Sequence, residues 1–320
     1  MNRSLIIPLG LALAIASSAT VAQKYPERPV RFVIPQAAGG SMDTNSRVLA
    51  EPLGRELGQN IVIDNRGGAN GIIGGEAVAR ATPDGHTALY TSNSIINNQL
   101  IRARPPFDVL RDFVPITLVG KLPGYLVMVN NQVPVKTLGD LIEHSKKASE
   151  PVRYGSGGIG NSQHLLGTLI NAKTGTRFEH VPYKGLPITP LLSNEIQLLF
   201  AAPTTMMAHI KSGRLKALAI TSAKRWNGLP DVPATAEFIP GFAYEVAWHG
   251  MFAPAGTPAA IVNRLQQEVA KALRLPHITR HFENGGYIVV GSTPAEFRRY
   301  LADDLKNVRE HMRLAGLKPE

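Results

Sequence analysis

Residues 30–57 read VRFVIPQAAGGSMDTNSRVLAEPLGREL. The run Val30–Ile34 is rich in the β-branched and aromatic residues that favour strands. Pro35–Ser41 carries turn residues, and apolar side chains then recur at helical spacing over Met42–Leu57, with Pro52 at a predicted kink. A strand, a glycine-rich turn and a helix in this order predict one βα unit of a parallel sheet.

The same order recurs along the chain. A second glycine-rich unit comprises the strand Val152–Tyr154, the turn Gly155–Ser162 and the helix His164–Ala172. Further strands are predicted at Ile61–Ile63, His86–Thr91, Ile116–Val119, Tyr125–Val129, Phe178–Val181, Ile196–Phe200 and Leu215–Thr221. Thr137, Thr257 and Thr293 are predicted to cap helices. The alternation predicts an α/β protein with parallel sheets and crossover helices.

The first 22 residues have the three regions of a secretory signal. Arg3 is followed by the apolar run Leu5–Ile15, and Thr20–Ala22 supplies small residues for cleavage near Ala22. The apolar run is about half of the ~20 residues that span a bilayer, although a membrane anchor or a buried first helix remains an alternative. The sequence thus predicts export to the periplasm. The chain has no cysteine, which excludes disulfides, thiolate metal sites and a lipoprotein anchor.

The chain carries a formal net charge of +10, of which Arg3 in the signal segment contributes one unit. We expect no nucleic-acid partner for an exported protein. A basic surface raises the local concentration of anionic solutes, but it also serves simply to keep a protein soluble.

The first candidate site is the turn between the strand and the helix at residues 35–43. Its glycines, Gly39 and Gly40, allow backbone N–H groups to approach a ligand. The helix that follows carries partial positive charge at its start, where Ser41 or Asp43 can act as a cap. This chemistry suits a carboxylate or a phosphate. The alternative is an ordinary turn.

The second candidate site is the turn at residues 155–164, which has the same position between a strand and a helix. Two such turns, one from each lobe, would hold an anion from both sides. Gly155, Gly157 and Gly160 also match the dinucleotide-binding pattern G-x-G-x-x-G, with Glu179 where a ribose-binding acid is expected. The polar residues after these glycines and the export signal weigh against a dinucleotide enzyme.

Catalytic and metal-binding patterns are absent from the sequence. It contains neither G-x-S-x-G nor H-E-x-x-H. His277 and His281 are spaced for one helix face, with Glu283 nearby, but nothing supplies a convincing third ligand. We therefore expect no catalytic residues, no metal and no cofactor.

The chain resembles the periplasmic binding proteins of tripartite tricarboxylate transporters, also called the Bug family. The segments that carry the resemblance are spread over nearly the whole mature chain. They are residues 25–30, 35–43, 65–69, 83–85, 181–185, 209–213, 219–225, 229–233 and 253–258.

The resemblance implies a type II periplasmic-binding-protein fold, in which two α/β lobes are joined by crossing hinge strands. We expect the crossings near Leu118–Val129 and Tyr244–Phe252. The predicted domains are a signal peptide at 1–22, a discontinuous first lobe at 23–122 and 245–320, and a second lobe at 123–244.

The resemblance also implies a cleft that binds carboxylated metabolites, largely through backbone N–H groups of the two turns. The predicted ligand-binding residues are Ala38, Gly39, Gly40, Ser41, Asp43, Ser92, Ser156, Gly158, Asn161, Ser162, His164, Tyr183, Ala201 and Thr204. Three positions depart from the family pattern. Met42 replaces a small polar residue, Ala201 replaces a frequent aspartate, and Pro203 comes one position early. Loss of the acid disfavours a ligand with an amino group, and the apolar replacements suit an aromatic or aliphatic carboxylate.

The predicted function is therefore capture of a small di- or tricarboxylate, or of an aromatic or aliphatic carboxylate, by lobe closure. The implied partners are the large and small membrane permease subunits of a tripartite transporter. Two alternatives stay open. One is a ligand-presenting protein for a sensor kinase, and the other, less favoured, is an exported enzyme.

Overall fold

The computed structural model describes residues 25–244, 247–314 and 316–319, with the exception of the side chain of Thr204. The predicted signal segment and its cleavage site at residues 1–22 lie outside the described residues.

Strands and helices alternate through most of the described chain. The strands are β1 (Val30–Ile34), β2 (Ile61–Asn65), β3 (Thr87–Ser92), β4 (Phe113–Lys121), β5 (Leu126–Asn130), β6 (Val152–Ser156), β7 (Phe178–Pro182), β8 (Leu198–Ala201), β9 (Leu215–Ile220), β10 (Trp248–Pro254) and β11 (Ile288–Val289). The helices are α1 (Ser41–Leu57), α2 (Ile72–Ala79), α3 (Ser94–Ile101), α4 (Leu138–Lys147), α5 (Ser162–Thr174), α6 (Ile188–Leu192), α7 (Pro203–Lys211), α8 (Ala259–Leu273), α9 (Pro276–Asn284) and α10 (Pro294–Leu314).

These strands form two mixed sheets. The first has the order β11-β4-β10-β3-β1-β2 and the second the order β7-β6-β8-β5-β9. Strands β1, β2 and β3 are parallel to one another, as are β6, β7 and β8, whereas β10 and β5 pair antiparallel with their neighbours. The predicted α/β class is confirmed.

The chain passes between the sheets through two segments. Residues 122–125 lead from β4 in the first sheet to β5 in the second, and residues 221–247 lead back from β9 to β10. The Leu122 N–H donates to the Ala247 carbonyl at 2.8 Å, so the two connections lie side by side.

Two of the predicted helix starts are confirmed and one is displaced. Thr137 with Asp140, and Thr293 with Glu296, form reciprocal capping boxes. Thr257 was predicted to cap α8, but its hydroxyl donates to the Pro254 carbonyl at 2.8 Å, and the helix begins after Pro258. The sequence prediction missed α3, α6, α7 and β11, all short elements without a clear apolar period.

An aromatic cluster anchors the last helix to the first sheet. Trp248 packs edge-on against Phe297 with ring centroids 5.4 Å apart, and its indole N–H donates to Asp304 Oδ2 at 2.7 Å. Helix α10 also contacts α3 and α5, and so packs against elements next to both sheets. Within the described residues, no helix combines the length and apolar character needed to cross a bilayer.

Replacement of Asp304 by Asn should change how stability depends on pH. Burial raises the pKa of Asp304 from 3.8 to about 6, although the Trp248 hydrogen bond opposes that rise. The folded state therefore favours the protonated acid, and the stability that this preference supplies below about pH 4 is lost as the pH rises through about 6. Asn stays neutral and keeps an acceptor for Trp248. As the pH rises from about 4 to about 7.5, the free energy of unfolding of the variant should increase by up to about 3 kcal/mol relative to that of the wild type.

Urea unfolding at the two pH values measures this difference. The exposed neighbour Asp303, 3.6 Å from Lys306, provides the control variant Asp303→Asn, which should change little at either pH. An equal effect of pH on Asp304→Asn and the wild type would show that Asp304 does not titrate in this range.

Candidate functional site

In the described part of the chain each parallel strand is followed by a helix, and four of these helices matter for the site. Helices α1 and α3 follow β1 and β3 of the first sheet, and α5 and α7 follow β6 and β8 of the second. In open α/β sheets, ligands bind beyond the carboxyl ends of such strands. Because each helix start carries unpaired N–H groups and partial positive charge, this edge of the molecule favours an anion.

Hydrogen bonds from neighbouring side chains fix the shape of the turn before α1. Gly39 has φ +85°, a conformation that favours glycine. Asp43 accepts the Gly39 N–H at 2.8 Å and pairs with Arg47 at 2.9 Å, while Gln36 Oε1 accepts the Met42 N–H at 3.2 Å. Burial acts to raise the pKa of Asp43, but these hydrogen bonds outweigh it and lower the pKa. Asp43 thus shapes the turn, and the exposed Ala38 and Gly39 present backbone to solvent.

The turn before α5 is held in a similar way. The Asn161 side-chain oxygen accepts the His164 N–H at 3.0 Å and caps the helix. Gln163 accepts the Gly157 N–H at 3.0 Å and donates to the Phe200 carbonyl at 2.7 Å, which ties the turn to the end of β8. The Asn161 oxygen, predicted as a ligand contact, is therefore engaged within the turn.

Two histidines, His164 and His180, contact the same turn and stabilise its shape. Ser156 Oγ lies 2.6 Å from His180 Nε2 and also contacts the backbone of Gly158. The rings of His164 and His180 stack with centroids 4.1 Å apart, and His164 Nδ1 accepts the Gly160 N–H at 3.2 Å. Burial, with a smaller contribution from His164, lowers the pKa of His180 to about 4, so His180 stays neutral at neutral pH. Ser156 and His164, both predicted ligand residues, hold the turn in shape.

Helix α3 joins the two sheets at Ser162. The Asn93 side-chain amide donates to Ser162 Oγ at 2.7 Å, and the Asn97 amide lies 3.5 Å from the same oxygen. All three side chains are buried. Sequence reasoning missed Asn93 and Asn97, although the polar run Ser92–Ser94 directly after a predicted strand marks the same kind of junction as the two glycine-rich turns.

A group of tyrosines lies between the starts of α1 and α5. Burial raises the pKa of Tyr287, the nearby Ser41 side chain opposes the rise, and nearby Tyr125 adds to it. Burial likewise raises the pKa of Tyr125, and the nearby Ser162 side chain opposes that rise. Ser41 and Ser162 therefore lie near one shared group of tyrosine hydroxyls. Ser162 also opposes the raised pKa of buried Tyr244, whose hydroxyl has no partner within hydrogen-bonding distance among the described residues.

The end of β8 closes the same region. Ala201 is fully buried, and Ala202 packs against the core of the first sheet. Gly286, which precedes Tyr287, is so close to α7 that a Cβ atom there would lie 3.4 Å from Pro203 Cβ. The side chain of Thr204, a predicted ligand residue, lies outside what the structure describes.

Two predicted residues have other partners. Ser92 Oγ lies 2.9 Å from Ser94 Oγ at the start of α3. The Tyr183 hydroxyl donates to Glu195 Oε1 at 2.6 Å and is directed to the turn before β8. Burial and Glu195 raise the pKa of Tyr183 to about 12. In the described parts of the chain, no group of three histidine or acidic side chains is placed to hold a metal ion.

Comparisons with known proteins show which proteins this chain is similar to. A family model described as "Tripartite tricarboxylate transporter family receptor" matches residues 45–317. The chain is 34% identical to Protein BugT of Bordetella pertussis, over 98% of this chain and 97% of BugT. Among solved structures it is similar to R. palustris Rpa4515 with adipate, at 30% identity and TM-score 0.87, over 92% of this chain and all of that one. MatC from Rhodopseudomonas palustris with bound malate is 26% identical, with TM-score 0.81, over 90% and 99% of the two chains.

Loss of the Ser162 hydroxyl should weaken the fold. Ser162→Ala leaves the buried Asn93 amide without its acceptor, which costs about 1–3 kcal/mol in free energy of unfolding. Urea unfolding of the purified protein measures this loss. Ser212→Ala removes a hydroxyl that bonds the His209 carbonyl at 3.2 Å on an exposed turn, and it should change stability by less than about 0.5 kcal/mol. Equal losses in the two variants would contradict the role assigned to Ser162.

Proposed function

The chain belongs to the receptor family of the tripartite tricarboxylate transporters, and we propose that it captures a small carboxylate between its two sheets and releases it unchanged. One observation carries the proposal. Two glycine-rich helix starts approach one group of tyrosine hydroxyls, since Ser41 lies near Tyr287, Ser162 lies near Tyr125, and the two tyrosines are close to each other. A solute placed there would contact both sheets. Ligand binding would therefore stabilise the arrangement in which the two sheets approach each other.

The chemistry of the region favours an anion. Each helix start is equivalent to roughly half a positive charge, and the tyrosine, serine and asparagine side chains around it supply neutral donors. Hydrogen bonds to a carboxylate are roughly twice as strong as those between neutral groups. These donors can hold an anion without a dedicated counter-ion, whereas a cation would face the positive ends of the helices.

The relatives indicate the class of carboxylate. Rpa4515 was solved with adipate and MatC with malate, and both of these molecules are dicarboxylates. In this chain Met42 follows the first turn and Ala201 ends β8, and both are buried apolar residues near the proposed site. Ala201 also replaces the acid that many family members carry and that would pair with an ammonium group. We therefore propose an aliphatic or aromatic carboxylate rather than an amino acid.

A binding role without catalysis fits the Ser156–His180 pair. A short serine–histidine contact is also found in hydrolases, where the serine must reach the substrate. Here Ser156 is fully buried, and its hydroxyl donates to the Gly158 carbonyl at 3.0 Å. This serine is engaged within the turn and is not presented as a nucleophile.

The lobes and the partners follow from the same family. We propose residues 23–122 with 245–320 as the first lobe and 123–244 as the second, since each sheet draws its strands from one of these sets. Residues 1–22 would direct the chain to the periplasm and be removed near Ala22. The mature protein would then present its ligand to large and small membrane permease subunits. Contact with a sensor kinase stays a prediction from the resemblance.

A thermal-shift panel tests the ligand class. The protein is first unfolded and refolded to remove bound solute, and then heated with adipate, malate, benzoate or aspartate. At least one of the first three should raise the unfolding temperature. At about one hundred times the dissociation constant, the gain is about 2.7 kcal/mol, which corresponds to several degrees. Stabilisation by aspartate and by none of the others would contradict the proposal.

Ser162→Leu locates the binding site. A bulky side chain at this buried position should fill the space beside Asn93 and abolish binding. Calorimetric titration with the acid that stabilises the wild type measures this loss of affinity. Ser212→Leu adds the same side chain on an exposed turn and should leave the affinity unchanged. Circular dichroism of both variants checks that they are folded. Wild-type affinity in folded Ser162→Leu would place the ligand elsewhere.

A further inference from the structure

A buried chain of hydrogen bonds runs beneath the tyrosine group. His281 Nε2 lies 2.9 Å from Asn45 Oδ1, and Asn45 Nδ2 lies 3.3 Å from His249 Nδ1. His249 Nε2 then lies 3.1 Å from the Tyr287 hydroxyl. Asn45, His249 and Tyr287 are all buried, so solvent does not supply alternative partners.

The side-chain amide fixes the direction of this chain. An amide oxygen only accepts, so His281 donates to Asn45 Oδ1. An amide nitrogen only donates, so His249 Nδ1 accepts from Asn45 and carries no proton. The Tyr90 hydroxyl, 3.3 Å from the same Nδ1, is a second group able to donate to it.

His249 is neutral and must therefore carry its proton on Nε2. Complete burial lowers its pKa to about 3, which excludes the doubly protonated ring near neutral pH. The Nε2–H group points at Tyr287 Oη and donates to it. Because a phenol has a single hydrogen, the hydrogen of Tyr287 is left free for another acceptor.

Tyr287 belongs to the tyrosine group of the proposed site, where its hydrogen is available to a bound carboxylate. Its hydroxyl neighbours Ser41 at the start of α1, and Tyr125 is close by. The residue before it, Gly286, lies against Pro203 at the start of α7. Tyr287 is thus positioned between helix starts of both sheets. With the opposite direction of the chain, the phenol would donate to His249 and direct only lone pairs at a ligand, which would repel a carboxylate.

We propose that Asn45 and His281 hold His249 as its Nε2-protonated tautomer, and that this tautomer makes Tyr287 a hydrogen-bond donor to the bound carboxylate. Asn45 and His249 are positioning residues. They orient the Tyr287 hydroxyl so that the site favours a ligand with a hydrogen-bond acceptor, and they do not contact the ligand themselves. The role of Tyr287 rests on the proposed function, whereas the tautomer of His249 can be measured without any ligand.

Nitrogen-15 NMR of histidine-labelled, ligand-free protein tests the tautomer. His249 is the histidine whose ring signals shift in Tyr287→Phe and remain in place in Tyr25→Phe. We expect an unprotonated Nδ1 and a protonated Nε2 that do not change between about pH 5 and pH 8. A proton on Nδ1, or a charged ring in this range, overturns the inference while leaving the proposed function intact.

Calorimetric titration with adipate, malate and benzoate tests the role of Tyr287. Tyr287→Phe should weaken binding of whichever acid binds the wild type by about ten- to a hundredfold, the usual effect of one hydrogen bond to a charged group. Tyr25→Phe is the matched control, since Tyr25 donates to the Gly85 carbonyl at 2.7 Å beside the start of β3, the opposite end from the site, and affinity should not change. Unchanged or tighter binding by Tyr287→Phe overturns the inference. Failure of the wild type to bind any of the three acids overturns the ligand class and, with it, the role of Tyr287, even if the tautomer is as expected.

Discussion

An α-helix leaves its first backbone N–H groups without partners inside the helix. In the described residues every parallel strand is followed by a helix, so these unpaired donors lie at the carboxyl ends of the strands. The location of the proposed site follows from strand direction before any particular side chain is considered. The bond from Asn93 to Ser162 then joins the start of α3 to that of α5. The proposed ligand contacts depend on how close these helix starts lie to one another.

Much of this arrangement can be predicted from the sequence. The strand, the glycine-rich turn and the helix are local patterns, and both turns lie where residues 30–57 and 152–172 predict them. The site around the turns is less predictable, because its other members come from distant parts of the chain. Nothing in the sequence marks Tyr125, Tyr244 and Tyr287 as members of one site. The fold brings them together, Tyr125 and Tyr244 from the two connections between the sheets and Tyr287 from the segment before β11.

The same reasoning explains why some predicted ligand residues have other partners. Asn161 and His164 are polar side chains next to glycines, and in sequence they are equivalent to Ser162 as candidates. The contacts that each of them makes depend on His180 from the neighbouring strand and on Asn93 from the other sheet. Neither partner can be placed by counting residues along the chain. Glycine content predicts the path of a turn, whereas long-range packing decides which side chains around it remain available.

Strand β10 has a consequence for the order of folding. It lies between β3 and β4 in the middle of the first sheet, yet it follows every strand of the second sheet in the chain. The second sheet is built from the continuous stretch between residues 126 and 220, but the first sheet cannot be completed until residues 248–254 have inserted. Such contacts between distant segments form slowly, because a long loop must close before they gain any stability. The first sheet therefore depends on the whole intervening chain, and residues before β5 do not contain enough strands to complete it.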